Sequence, residues 1–146
     1  MNNSNLEKTL SERSDHELVR VKELKFCWGD KTVLDDISFT IFSGQIVAIL
    51  GKNGAGKTTL IKCLNRVQSP QNGKIEICSK DISRQSLIEL SKSVSYVPQS
   101  VRTNFPMDVF DVLLLGRRPH ISWRTSSEDL QAVSETLRKF GLEDLA

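Results

Sequence analysis

The sequence has no stretch long and apolar enough to cross a membrane. Charged residues interrupt every hydrophobic run well short of the ~20 residues that a spanning helix needs. The first residues also lack the apolar core of a signal peptide. Cys27, Cys63 and Cys78 are odd in number and show no CxxC spacing. That argues against a disulfide framework and against a cysteine metal site, and for reduced cytosolic thiols. The formal net charge is only +2 and the basic residues are scattered, so no nucleic acid is expected as a partner. There is no internal repeat, no low-complexity tract and no heptad run. With 146 residues, 38% hydrophobic and 26% charged, the chain has the composition and size of an ordinary soluble domain.

What is present is concentrated in one loop. Gly51-Lys52-Asn53-Gly54-Ala55-Gly56-Lys57-Thr58-Thr59 fits the phosphate-loop pattern G-x-x-x-x-G-K-[ST]. Ile46-Val47-Ala48-Ile49-Leu50 precedes it as an unbroken apolar run, the pattern of a strand buried on both faces of a parallel sheet. Leu60, Ile61 and Leu64 follow it on one face of a helix. Each residue type has a chemical reason. Glycines let backbone N–H groups turn toward phosphate oxygens, and the start of a helix adds its positive dipole end. Lys57 offers a mobile point charge for the outer phosphates. Thr58 offers a hydroxyl to Mg²⁺, which prefers oxygen ligands in near-octahedral geometry. The alternative is a glycine-rich turn without a ligand, which the strand and helix flanks disfavour.

The remaining elements follow from periodicity and punctuation. Residues 1–18 read as a polar, flexible leader. Val19, Val21, Leu24 and Phe26 alternate as in a half-buried strand, Gly29-Asp30 turns the chain, and alternation resumes through Val33-Leu34 and residues 37–41. Residues 69–73 read as a loop, 74–77 as a short strand, 86–92 as a short helix and 94–97 as a strand stopped by Pro98. Asp108 is placed to cap a helix through 109–115, with Gly116 as its stop. That helix is apolar nearly all round and so is expected to be buried in the protein or at an interface. A last helix is capped by Ser126 or Ser127, ends at Gly141, and carries Leu130, Val133, Leu137 and Phe140 on one face.

With these landmarks placed, residues 19–146 resemble the ATP-binding subunits of ABC transporters. The resemblance rests on Leu34-Asp35-Asp36-Ile37-Ser38-Phe39 followed by Gly44-Gln45, and on the loop continued through Leu60. It rests further on Val94-Ser95-Tyr96-Val97-Pro98-Gln99, similar to the family's glutamine-loop strand, and on Trp28 where the family places an aromatic residue. Residues 111–120, Asp111 to His120, resemble the matching segment of importers for iron–siderophore, haem and vitamin B12 complexes. The resemblance implies an α/β P-loop NTPase core: an antiparallel β part, a parallel-sheet nucleotide-binding core, and the start of a helical subdomain after Gln99. It implies ATP and Mg²⁺ as ligands. ATP would be held by Trp28 and by Gly51, Lys52, Asn53, Gly54, Ala55, Gly56, Lys57, Thr58 and Thr59. Lys57 and Gln99 would act in hydrolysis, and Thr58 and Gln99 on the metal. The partners implied are a second copy across an ATP sandwich, transmembrane permease subunits and, indirectly, a substrate-binding protein. The implied location is the cytoplasmic face of the cell membrane.

The family's LSGGQ-like signature, its Asp-Glu metal motif and its switch histidine have no counterpart in the sequence. The chain is therefore expected to be the N-terminal part of one ATP-binding domain, and the 146 residues alone to bind nucleotide without turnover. Other readings stay open: a non-transport ABC ATPase acting on ribosomes or nucleic acid, a plain nucleotide-binding module, or an unrelated P-loop kinase. Individual residues have blander readings too. Trp28 could simply cover a hairpin, Gln99 could be a surface glutamine, and Cys63 a small core residue. The 109–115 helix could be core or the wall of a groove for a membrane subunit. Arg117, Arg118 and His120 could line that groove or be a solvated helix end. His16 is given no role.

Overall fold

In a computed structural model, residues 16–100, 106–121 and 123–145 are described. They divide into two compact units, the first ending at Ser86 and the second beginning at Leu87.

The first unit is built on a sheet of order β2-β1-β3-β4, antiparallel throughout. Its strands are β1 (Glu17–Trp28), β2 (Lys31–Phe42), β3 (Asn72–Ile77) and β4 (Lys80–Asp81). β1 starts two residues inside the stretch read as a leader; residues 1–15 lie outside the described residues. The apolar pattern of β1 breaks phase once, from Val19 and Val21 to Leu24 and Phe26. The cause is a bulge: Val21 faces Phe39 and Leu24 faces Ile37, so three steps on β1 oppose two on β2. Glu23 takes a left-handed φ of 49° there, and its N–H donates to Ser38 Oγ at 2.8 Å. β3 must pass close to this kink. A Cβ on Gly73 would stand 2.6 Å from the Glu23 carbonyl oxygen and from Leu24 Cα, so only glycine fits. The bulge restores Val21, Leu24 and Phe26 to one buried face, with Leu34, Ile75 and Ile77.

Helix α1 (Lys57–Leu64) buries Leu60 and Cys63. Cys63 is therefore the small core residue expected, and burial raises its thiol pKa. Just beyond α1, Arg66 donates from a terminal guanidinium nitrogen to the carbonyls of Ile82 (3.0 Å) and Gln85, tying the helix end to the segment after β4.

The second unit holds α2 (Leu87–Ser91), α3 (Val109–Gly116) and α4 (Ser127–Phe140). Ser126 caps α4 through a reciprocal capping box with Asp129, and Gly141 ends it at φ 64°. Asp129 is buried. One carboxylate oxygen accepts from the Ser126 N–H (3.1 Å) and hydroxyl (2.8 Å); the other accepts from Arg117 Nε (3.1 Å) and a terminal nitrogen (3.0 Å). The end of α3 is thus bolted to the start of α4. The Ser126 backbone bond, then the Ser126 hydroxyl and Arg117, hold the Asp129 carboxyl below its ordinary pKa.

Several expectations are corrected. Residues 46–50 and 94–97 form no strand, and the parallel ladder expected around 46–50 has no counterpart among the described residues. A strand exists only through a hydrogen-bonded neighbour, and neither segment meets one among the described residues of its own unit. Asp108 occupies the N-cap of α3 but makes no side-chain cap bond. α3 buries none of its residues: an all-round apolar helix needs cover on several sides, and among the described residues its main helical neighbour is α4. On α4, Val133 and Leu137 are buried but Leu130 and Phe140 are exposed, so its apolar face is only half covered.

Candidate functional site

The glycine loop is formed although the run before it is not laddered. Gln45 closes the preceding turn, its side-chain oxygen accepting from the Phe42 N–H at 2.9 Å. Within the loop, the Ala55 N–H donates to the Lys52 carbonyl (3.2 Å), and Gly54 and Gly56 take left-handed φ values of 82° and 89°. The Lys57 ammonium folds back over the loop, donating to the carbonyls of Gly51 (2.7 Å) and Lys52 (2.8 Å). The loop is therefore a ring closed by its own cation.

At the same place α1 begins with Gly56 as N-cap. No side chain caps it, and no acidic residue stands in its first turn. The first intrahelical bond from this end runs from the Leu60 N–H to the Gly56 carbonyl at 2.8 Å. The N–H groups of Lys57, Thr58 and Thr59 precede that bond and have no intrahelical partner. An uncapped helix start, an adjacent ammonium and no nearby carboxylate in the first turn suit a phosphate group. The Thr58 side chain is exposed at that turn and could reach a metal ion.

Gly56 also joins the loop to the β1–β2 hairpin. A Cβ there would stand 3.0 Å from Leu34 Cδ2 and from the Val33 carbonyl oxygen, and 3.1 Å from Val33 Cγ1. Leu34 lies opposite Phe26, and the Phe26 and Trp28 rings meet edge to face with centroids 5.1 Å apart. A bulge at Val33 shifts the register from Phe26–Leu34 to Cys27–Thr32, so Leu34 and Lys31 fall on the face of Phe26 and Trp28. Trp28 thus stands on the hairpin face against which the loop packs. It is still 53% exposed, so the hairpin covers only part of it. The role of Leu34 and Val33 as the seat of the loop was missed at sequence level, because it depends on a contact between residues more than twenty positions apart.

Gln99 belongs to the second unit, where it is exposed on a bend after Pro98. In the same unit Arg118 and Asp111 line an open groove of about 430 Å³ with Leu114, Leu115, Ile121 and Trp123, while His120 is exposed beside it. In the first unit a cavity of about 280 Å³ lies between α1 and β3 and is lined by Cys63, Arg66 and Lys74 among others. No group of three or more metal-ligating side chains occurs among the described residues. No helix among them is long and apolar enough to cross a membrane.

Comparison with known proteins gives a consistent picture. A family model described as ABC transporter matches residues 34–146. The chain is 42% identical over 129 residues to an uncharacterised ABC transporter ATP-binding protein of Methanocaldococcus jannaschii, covering 88% of this chain and 50% of that protein. It is 33% identical over 116 residues to a hemin import ATP-binding protein of Thermobifida fusca, covering 80% of this chain and 41% of that one. Among solved structures it resembles a metal-chelate type ABC transporter in an inward-facing conformation, with 31% identity and a TM-score of 0.70, over 90% of this chain and 47% of that one. The chain spans about half the length of the curated relatives it matches. The likeness agrees with the α/β P-loop class read from the sequence.

Proposed function

The chain belongs to the ABC transporter family, and on that premise we propose that it forms the ATP-binding part of a transport ATPase. The observation that carries this reading is the loop at 51–59: an uncapped helix start beside an ammonium, seated on a hairpin that presents a half-open indole. The phosphates of ATP lie in the loop, contacted by backbone N–H groups from Gly51 to Thr59, with Lys57 exchanging its carbonyl partners for phosphate oxygens. Trp28 stacks on adenine, an interaction that reads a π-face. The Thr58 hydroxyl would hold Mg²⁺, which when bound would neutralise charge on the outer phosphates. We propose separately that Gln99 acts in the whole protein's hydrolysis, through the metal and the attacking water.

In the whole protein, hydrolysis drives import of a metal-chelate or cobalamin-like solute. Support for that class comes from relatives named for hemin, iron chelatin and petrobactin transport, and from the metal-chelate transporter structure. Two copies would sandwich ATP against a pair of permease subunits, with a substrate-binding protein delivering solute from the far side. The chain would then sit on the cytoplasmic face of the membrane.

Titration with a fluorescent ATP analogue tests the assignment of the loop. Lys57→Ala removes the one side-chain ammonium that the loop turns inward. Losing one partner of a desolvated charge pair costs about 2–5 kcal/mol, roughly thirty- to several-thousand-fold in affinity. An unchanged affinity in a variant with an unchanged circular dichroism spectrum would remove the loop from the site.

A further inference from the structure

The β1–β3 ladder stops before β1 does. Its last pair is Lys25–Asn72, yet β1 runs on to Trp28. Among the described residues no strand lies beside the outer edge of Phe26, Cys27 and Trp28, at the point where the candidate base platform stands. Gln71, the residue before β3, fills the gap. Its backbone N–H donates to the Lys25 carbonyl at 3.0 Å. Its side chain then reaches past the end of the ladder. Oε1 accepts from the Cys27 N–H at 2.9 Å, and Nε2 donates to the Cys27 carbonyl at 3.1 Å.

In an antiparallel strand the N–H and C=O of one residue point to the same side. A carboxamide carries one acceptor and one donor group at its tip, so a single side chain supplies both bonds that a strand partner would make. The opposite amide orientation would set oxygen against oxygen and N–H against N–H, so the pair of bonds fixes the assignment. On the other side, Cys27 faces Thr32 with Sγ and Oγ1 3.5 Å apart. Cys27 is thus held from both flanks, and Trp28, next along the strand, takes its position from that hold together with its Phe26 edge contact and its place opposite Lys31.

We propose that Gln71 is a positioning residue for the base platform: by completing the edge of β1 at Cys27, it sets the indole of Trp28 for adenine. This rests on the reading that Trp28 stacks on the base. The phosphate loop is seated on β2, at Val33 and Leu34, whereas Gln71 bonds to β1. The proposal therefore separates base binding from phosphate binding.

The test is calorimetric titration of the full-length chain and its variants with Mg·ATP and with Mg·tripolyphosphate, which offers phosphates without a base. Gln71→Ala is expected to weaken ATP about three- to tenfold, the scale of one net hydrogen bond, and to leave tripolyphosphate binding unchanged. Gln71→Glu keeps the acceptor but loses the donor, and should behave like the alanine variant. Adding Gln71→Ala to Trp28→Ala should cause no further loss, because the two act through one contact. Retained tripolyphosphate binding in the same sample reports an intact loop. Equal losses for ATP and tripolyphosphate would make Gln71 a general support of the fold and overturn the proposal. Intact ATP affinity in Gln71→Ala beside a weakened Trp28→Ala would overturn it while leaving the stacking reading standing. Intact ATP affinity in Trp28→Ala would take away that reading and the proposal together.

Discussion

Two apolar stretches of the first unit meet opposite fates. Val21, Leu24 and Phe26 on β1 are at most 3% exposed, while Ile46 and Leu50, just before the phosphate loop, are 101% and 89% exposed. The difference lies in where each stretch finds its partners. β1 alternates, so it needs cover on one face, and its hairpin partner begins three residues after it ends. The run at 46–50 is apolar at every position and needs cover on two faces and both edges; none of the described residues of its unit supplies them. Alternation is a local promise, kept by the next element. An unbroken apolar run is a long-range one.

The largest effect should separate these stretches directly. In urea unfolding, Leu24→Ala should cost about 2–5 kcal/mol, as for any large-to-small change in a packed core. Leu50→Ala should stay within about 0.5 kcal/mol, as for an exposed position. Equal costs would show that 46–50 is covered in solution and would erase the contrast. Next in size, Trp28→Ala should weaken ATP and GTP alike by about 1–3 kcal/mol in equilibrium titration, the range for base stacking on an aromatic ring. Trp28→Tyr should be nearly neutral. A Trp28→Ala protein that loses stability but binds nucleotide normally would return Trp28 to mere hairpin cover.

The second unit sharpens the comparison, because it substitutes a polar lock for apolar cover. Ser126→Ala removes the α4 cap and should cost about 1 kcal/mol in thermal or urea melts. Its pH dependence follows from Asp129. The folded carboxyl titrates below the unfolded value of about 3.9, so the unfolded chain binds more protons, and the lock's contribution is complete above that pH and lost as pH falls through the folded value. Helix content followed by circular dichroism should show a sharper acid loss in the parent than in Asp129→Asn. Parallel acid profiles would mean that Asp129 contributes nothing. The smallest effect is expected at Gln99: Gln99→Ala should change ATP affinity by less than about 0.5 kcal/mol, while slowing turnover in the whole transporter. Binding and turnover that fall by one factor would make it a structural residue.

Much of this was legible in residue order. The hairpin, its Gly29-Asp30 turn, α1, and the cap and stop of α4 are all local, and each occupies nearly the residues expected. The phase break between Val21 and Leu24 is visible in the sequence, and only the structure shows that Glu23 bulges and that Gly73 must be glycine to pass it. Ser126 and Asp129 stand at capping-box spacing, but nothing in the order of residues ties Asp129 to Arg117. The differences share one cause. Residues 46–50, 94–97 and the faces of α3 and α4 carry a hydrophobicity that states a need for partners, and the described residues do not supply them. The site divides in the same way. The loop is local and readable, whereas its seat on Leu34 and the hold of Gln71 on Cys27 are non-local and were not.

The central claim is that the loop and the hairpin tip form one site, although the run leading into the loop is unpaired. The chain has two tryptophans, Trp28 and Trp123, so a Trp123→Phe background leaves Trp28 as the only indole. Its emission during a titration with Mg·ATP reads the claim directly. The account predicts a saturable change in Trp28 emission at the affinity measured by calorimetry, abolished by Lys57→Ala. Calorimetric binding of ATP that leaves Trp28 emission unchanged would mean that the loop binds without the hairpin, and would contradict it.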